Sequence, residues 1–176
     1  MQKTKLNKRG FTLIELLIVI GILGIIAAVV FVALDPGTRF ADARNSRRWT
    51  DISAIVDAIK VDQVDNGGAL EAEIAGMTAT EVYMITDGVP GSPDCDAQNA
   101  YCTTNVTVET VAGDHCVNLA PLAAEGYIGK VPVGPNGNGT WTADITGYTL
   151  SRDANNIITV RSCDTENTGD EITIVR

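Results

Sequence analysis

The stretch Lys8-Arg9-Gly10-Phe11-Thr12-Leu13-Ile14-Glu15 joins a short basic leader to an apolar run that continues to Leu34. Glu15 is the one ionisable side chain in residues 11–34, and a carboxylate at the centre of a membrane-length helix costs about 2.5 to 3.5 kcal/mol. It needs a partner. As a helix the run would be about 36 Å long, enough to cross a hydrocarbon core of about 30 Å with some tilt. A secretory signal has an apolar stretch of about 7 to 15 residues and then a small-residue cleavage site. This run is longer and has no clean site near Leu34, so a membrane segment is expected.

Cutting the chain between Gly10 and Phe11 would supply the missing partner. The freed ammonium of Phe11 lies four residues from Glu15, on the same face of one helical turn, and the carboxylate can meet its own amine or a neighbour's. This border, Lys-Arg-Gly-Phe-Thr-Leu-Ile-Glu followed by a long aliphatic helix, resembles the type III signal of type IV pilins and pseudopilins. The resemblance covers the leader and the N-terminal helix. It implies that a prepilin peptidase cuts after Gly10, that Phe11 is N-methylated, and that Glu15 guides assembly of like or related subunits into a filament through the membrane-bound assembly machinery.

Thirteen basic and twenty-two acidic residues give a net charge of −9, and the leader holds four of the basic ones, Lys3, Lys5, Lys8 and Arg9. Without it, nine basic residues face the same twenty-two acidic ones, a net of −13. So acidic a surface repels phosphate backbones, and an aromatic content of 5% leaves little for base stacking, so no general nucleic-acid binding is expected. Arg39, Arg44, Arg47 and Arg48 follow the apolar run and nearly balance the basic leader, leaving the positive-inside count undecided. Cysteine decides it. Cys95, Cys102, Cys116 and Cys163 all lie in the C-terminal part, an even number that suggests two disulfides and an oxidising compartment. The N-terminus is then cytoplasmic and the rest extracytoplasmic. Of the three connectivities, Cys95 with Cys102 and Cys116 with Cys163 is the expectation.

Asp35-Pro36-Gly37 interrupts the helical pattern, because proline removes a backbone donor and clashes with the preceding turn; a kink or loosened stretch is expected, with the nearby arginines meeting acidic groups of adjacent subunits. Beyond Phe40, Ile52, Ile55, Val56, Ile59 and Gln63 or Val64 recur at helical spacing. Arg47, Arg48, Asp51, Asp57, Lys60 and Asp62 are placed largely opposite, and Asn66-Gly67-Gly68 stops the helix. Residues 11–65 thus read as one interrupted helix of about 80 Å, apolar all round in its first half and striped in its second. Gly21, Gly24, Ala27 and Ala28 are small, and Gly24 with Ala28 has the spacing that permits close helix contact, although glycines are frequent in membrane helices in any case.

The fold class is α+β: a long N-terminal helix packed on a small antiparallel sheet, as the resemblance to pilins also implies. The division is a leader at 1–10, a membrane or filament-core helix at 11–34, its amphipathic continuation at 35–66, and a β-rich globular part at 67–176. Residues 82–86 and 106–111 read as strands separated by a loop with Pro90, Gly91 and Pro93. Residues 118–125 read as a short helix stopped by Gly126, 147–152 and 157–161 as a hairpin around Asp153-Ala154-Asn155-Asn156, and 171–175 as a last strand.

Catalytic and metal chemistry is thin. His115, the one histidine, adjoins Cys116, where neighbouring side chains point apart, and reads as a surface residue beside a disulfide. Gly134-Pro135-Asn136-Gly137-Asn138-Gly139 is a turn-rich loop without the lysine of a phosphate-binding motif. The cysteine spacings do not fit paired zinc ligands. Asp94 with Asp96, or Asp164 with Glu166 and Asp170, leave an opening for calcium, against a default of solvated acidic loops. Asn105-Val106-Thr107 and Asn138-Gly139-Thr140 fit the glycosylation pattern. The expectation is a non-enzymatic structural subunit, inserted first in the cytoplasmic membrane and then carried in a surface filament, with no metal or cofactor required. A membrane-anchored binding domain that never polymerises is the alternative, against which Glu15 and the cleavage border both count.

Overall fold

A computed structural model describes residues 10–88, 94–108, 110–111 and 115–176. The leader residues, the Pro90-Gly91-Pro93 segment and part of the expected strand at 106–111 lie outside or across the edges of the described residues. Contacts divide the chain into two units, Met1–Arg39 and Phe40–Arg176.

In the first unit α1 (Leu13–Leu34) is apolar on every side and buries no residue. The helical run that begins at Leu13 is long and apolar enough to cross a membrane. It breaks at Asp35, which takes a left-handed conformation (φ 38°, ψ 74°), before α2 (Pro36–Asp65) begins. Proline at the first position of α2 costs nothing there, since that amide has no partner in any helix. The expected interruption is therefore a single residue wide.

In the second unit α2 ends at Asp65, where Gly67 and Gly68 adopt positive φ and the Gly68 amide donates to the Gln63 carbonyl at 2.7 Å. This is a glycine-based C-cap, as the sequence indicated. After α3 (Ala72–Gly76) come β1 (Val82–Thr86), β2 (Cys116–Asn118), α4 (Ala120–Ala124), β3 (Tyr148–Arg152), β4 (Ile158–Ser162) and β5 (Thr173–Val175). The sheet order is β2-β1-β3-β4-β5. Its neighbours are antiparallel except β1 and β2, which run parallel with Met84 opposite Cys116.

Side chains alternate across a strand, and β1 uses both faces. Tyr83 and Ile85 join Ile52, Ile55, Val56 and Ile59 of α2 with Tyr148, Leu150 and Val160 in the larger core. Met84 joins Cys95, Val106, Trp141 and Cys163 in a smaller one. The second face of the sheet is thus closed by loops. Trp141 fits there because Gly139 and Gly147 lack side chains: a Cβ at Gly147 (φ +81°) would stand 2.4 Å from the indole ring.

Four expectations are corrected. Residues 106–108 and 110–111 are not strand; the Thr107 amide donates to the Val82 carbonyl at 2.9 Å, but the Val82 amide goes to the Thr107 hydroxyl, which ends the ladder after one rung. The disulfides are Cys95–Cys116 and Cys102–Cys163, not the expected pairs. The parallel β1–β2 pairing carries Cys116 to the face where Cys95 is buried, and the Thr103 amide donates to the Cys163 carbonyl at 3.3 Å, fastening the next loop to the end of β4. Arg48 and Asp62 are buried while Val64 is exposed. The buried row 48, 52, 55, 59, 62 follows helical phase regardless of side-chain type, so two charged residues lie on the packed face. His115, lastly, is buried, with Nε2 at 3.1 Å from Glu81 Oε2 and its ring 5.1 Å from that of Tyr83.

Candidate assembly site and an arginine-held loop

Gly10 and Phe11 are exposed, non-helical residues that precede Thr12, the residue before α1, so the bond between them lies outside the helix and open to solvent. Thr12 caps the helix. Its hydroxyl accepts from the Glu15 amide at 3.2 Å, while its own amide and hydroxyl each donate to Glu15 Oε2 at 2.9 Å. This reciprocal arrangement satisfies two donors at a helix start. Thr-Leu-Ile-Glu carries the spacing of such a capping box, a signal that the pairing of Glu15 with a cut chain end had overshadowed. Before any cut, Glu15 already has a partner in Thr12, and the carboxylate lies at the helix end whose exposed amides favour negative charge.

Farther along α1, a Cβ added at Gly21 or Gly24 would meet nothing within 4 Å among the described residues. Among the described residues, none requires a small residue at either position. Large apolar side chains such as Leu16, Ile20, Leu23 and Phe31 are exposed around the same helix.

Two of the acidic residues considered for calcium, Asp164 and Glu166, belong to a different construction. Arg48, completely buried, donates to Asp164 Oδ2 at 3.1 Å, to Asn45 Oδ1 at 2.8 Å and to the Pro135 carbonyl at 3.2 Å, and pairs with Glu166 Oε1 at 2.9 Å. Arg44 forks onto Glu166, its Nε at 2.7 Å from Oε1. Asn45 brackets the Glu166 backbone, donating to its carbonyl and accepting from its amide. Asp164 Oδ2 also accepts from the Asn138 and Gly139 amides at 2.9 and 3.2 Å, and Oδ1 from Asn138 Nδ2 at 3.2 Å. The Gly134–Gly139 turn therefore does cradle an anion, and the anion is the protein's own carboxylate. The Arg44 hydrogen bond holds the Glu166 carboxyl below the usual carboxylate range, and Glu166 raises Arg44 in return.

Arg44 and Arg48 are thus engaged within the chain rather than left for neighbouring subunits, and Arg47 lies 3.6 Å from Asp51 one turn along. Asp51 in turn accepts from the Tyr148 hydroxyl at 2.6 Å, and burial with this bond pushes the phenol up. Asp170 is exposed, and among the described residues no three His, Cys, Asp or Glu are grouped to hold a metal ion. Of the two glycosylation patterns, Asn105 is exposed whereas the Asn138 amide is held by Asp164.

Comparison with known proteins agrees with the geometry of the N-terminal segment. Residues 5–31 match the family model described as the prokaryotic N-terminal methylation motif. The chain is 29% identical over 136 residues to the type II secretion system core protein G of Escherichia coli (strain K12), a match spanning 75% of this chain and 69% of that protein. No solved structure matches with significance.

Proposed function

We propose, from the premise that this chain belongs to the type IV pilin and pseudopilin family, that it is inserted as a membrane precursor, cut between Gly10 and Phe11 by a prepilin peptidase, and polymerised through α1. The observation that carries the reading is α1 itself: apolar all round, unburied, and separated only by its cap Thr12 from the exposed, non-helical residues Gly10 and Phe11. A helix of that kind is stable in lipid or packed among its own copies.

Each site residue then has one task. Phe11 supplies the new, methylated amine. Glu15 exchanges its Thr12 partner for that ammonium, its own or a neighbour's, where low polarity makes the pairing strong. Gly21, Gly24 and Ala28 let neighbouring helices approach. The segments 1–10, 11–34, 35–66 and 67–176 serve as leader, core helix, connecting helix and solvent-facing part. The role is structural rather than enzymatic, and the partners are like subunits and the assembly machinery. The relative is a core protein of a type II secretion system, which favours a pseudopilus over a surface pilus.

Intact-mass measurement of native protein, with micrographs of purified filaments, tests this reading. The expected subunit begins at Phe11 and carries one added methyl group. A chain that retains Met1, one that starts near Asp35, or a correctly cut protein found only as monomers overturns it.

A further inference from the structure

A cleft of about 330 Å³ opens beside the Cys102–Cys163 disulfide, lined by Tyr101, Thr103, Asn138, Asp164 and Thr165. Ligand pockets begin at about this size. We infer that this cleft is a saccharide subsite that holds one neutral hexopyranose unit against Tyr101.

The frame of the cleft is fixed before any ligand arrives. Tyr101 ends a 3-10 turn, Asn99–Tyr101, directly before a half-cystine, and its ring stands edge-on to the buried Trp141 with centroids 6.5 Å apart at 85°. The opposite wall, Cys163 to Thr165, is tied to the first by the disulfide and by the Thr103 amide donating to the Cys163 carbonyl. Asn138 is held by Asp164, so its amide is oriented in advance. Little ordering remains for a ligand to bring about, which favours binding by small, weakly held molecules.

The lining selects the ligand's chemistry. Asp164 is 2% exposed and its oxygens already accept from Arg48, Asn138 and Gly139, so the cleft offers no unpaired charge and suits a neutral molecule. Tyr101, 43% exposed, gives an apolar ring that ends in a hydroxyl. Thr103, Thr165 and Asn138 line the same cleft, and their hydroxyls and amide are groups that both donate and accept. A pyranose has the matching surface, with apolar C–H groups on one face and hydroxyls on the rim. A charged or wholly apolar ligand would waste one half of this lining.

The test is saturation-transfer NMR and calorimetry on the full chain, in a detergent without a sugar head group, with the methyl glycosides of glucose, galactose, mannose and N-acetylglucosamine and a disaccharide of each. At least one should bind with millimolar affinity, and the disaccharides separate a terminal from an internal sugar unit. Tyr101→Ala should weaken binding about tenfold and Tyr101→Trp should retain it. Thr165→Val, a change outside both cores, should also weaken binding and serves if Tyr101→Ala fails to fold. Absence of binding by all probes at tens of millimolar, unchanged affinity in folded Tyr101→Ala or in Thr165→Val, or chemical-shift changes confined to surfaces away from the cleft overturns the assignment.

Discussion

The guanidinium of Arg48 and the carboxylate of Asp164 meet at 3.1 Å with 1% and 2% of their side chains exposed. An ion pair this deep gains little over a well-packed apolar replacement, yet breaking it from one side strands a charge. Arg48→Met should therefore destabilise the protein by about 3 to 5 kcal/mol, read as a drop in the denaturation midpoint. Asp164→Asn should cost less, because its amide still accepts from the Asn138 and Gly139 backbone. Equal midpoints for Arg48→Met and wild type would refute the buried arrangement.

Acid should loosen the same region. The folded-state carboxyl of Glu166 lies below its ordinary range, chiefly through the Arg44 hydrogen bond, so its contribution is complete above the unfolded value of about 4.3. It disappears as pH falls through the lower folded value. Melting temperature plotted against pH should decline below about pH 4.3, and Glu166→Gln should flatten part of that decline while lowering stability at neutral pH. A variant curve parallel to wild type throughout this acid range would contradict the coupling.

Gly147→Ala should destabilise by about 2 kcal/mol or more, combining a left-handed backbone with overpacking. The added methyl would strike Trp141 at 2.4 Å. Near-UV circular dichroism of the tryptophan should change along with the melting temperature; an unaltered spectrum at full stability would show that the loop yields easily.

At the other end of the chain, Glu15→Ala should still insert and still be cut, since it removes a charge from an apolar helix. Filament yield should collapse because the new amine of Phe11 then has no carboxylate to meet. Normal filament numbers in cells carrying the variant would set aside the pairing of Phe11 with Glu15.

Local sequence signals located β1, α4, the β3–β4 hairpin and the glycine stop of α2, because each depends on neighbours along the chain. Asn45, Arg48 and Asp62 were hidden for the opposite reason. Their place on the buried face follows from helical phase, but a buried arginine is tolerated only when Asp164 and Glu166, more than a hundred positions away, come to meet it. The short β2 escaped as well, since three residues carry no period and its parallel partner β1 lies across a long connection. At the candidate assembly site Glu15 is conspicuous as a lone charge in an apolar run, whereas the role of Thr12 depends on its pairing with Glu15 three residues on.

The disulfides interleave: Cys102 lies between Cys95 and Cys116, and Cys116 lies between Cys102 and Cys163. Cut the backbone once anywhere from 95 to 163 and at least one bridge still joins the two pieces. Side-by-side pairing of Cys95 with Cys102 and Cys116 with Cys163 would have let one cut between 102 and 116 shed everything beyond it. The connectivity therefore makes a single backbone break anywhere in that span survivable, because no one cut releases a piece of the chain.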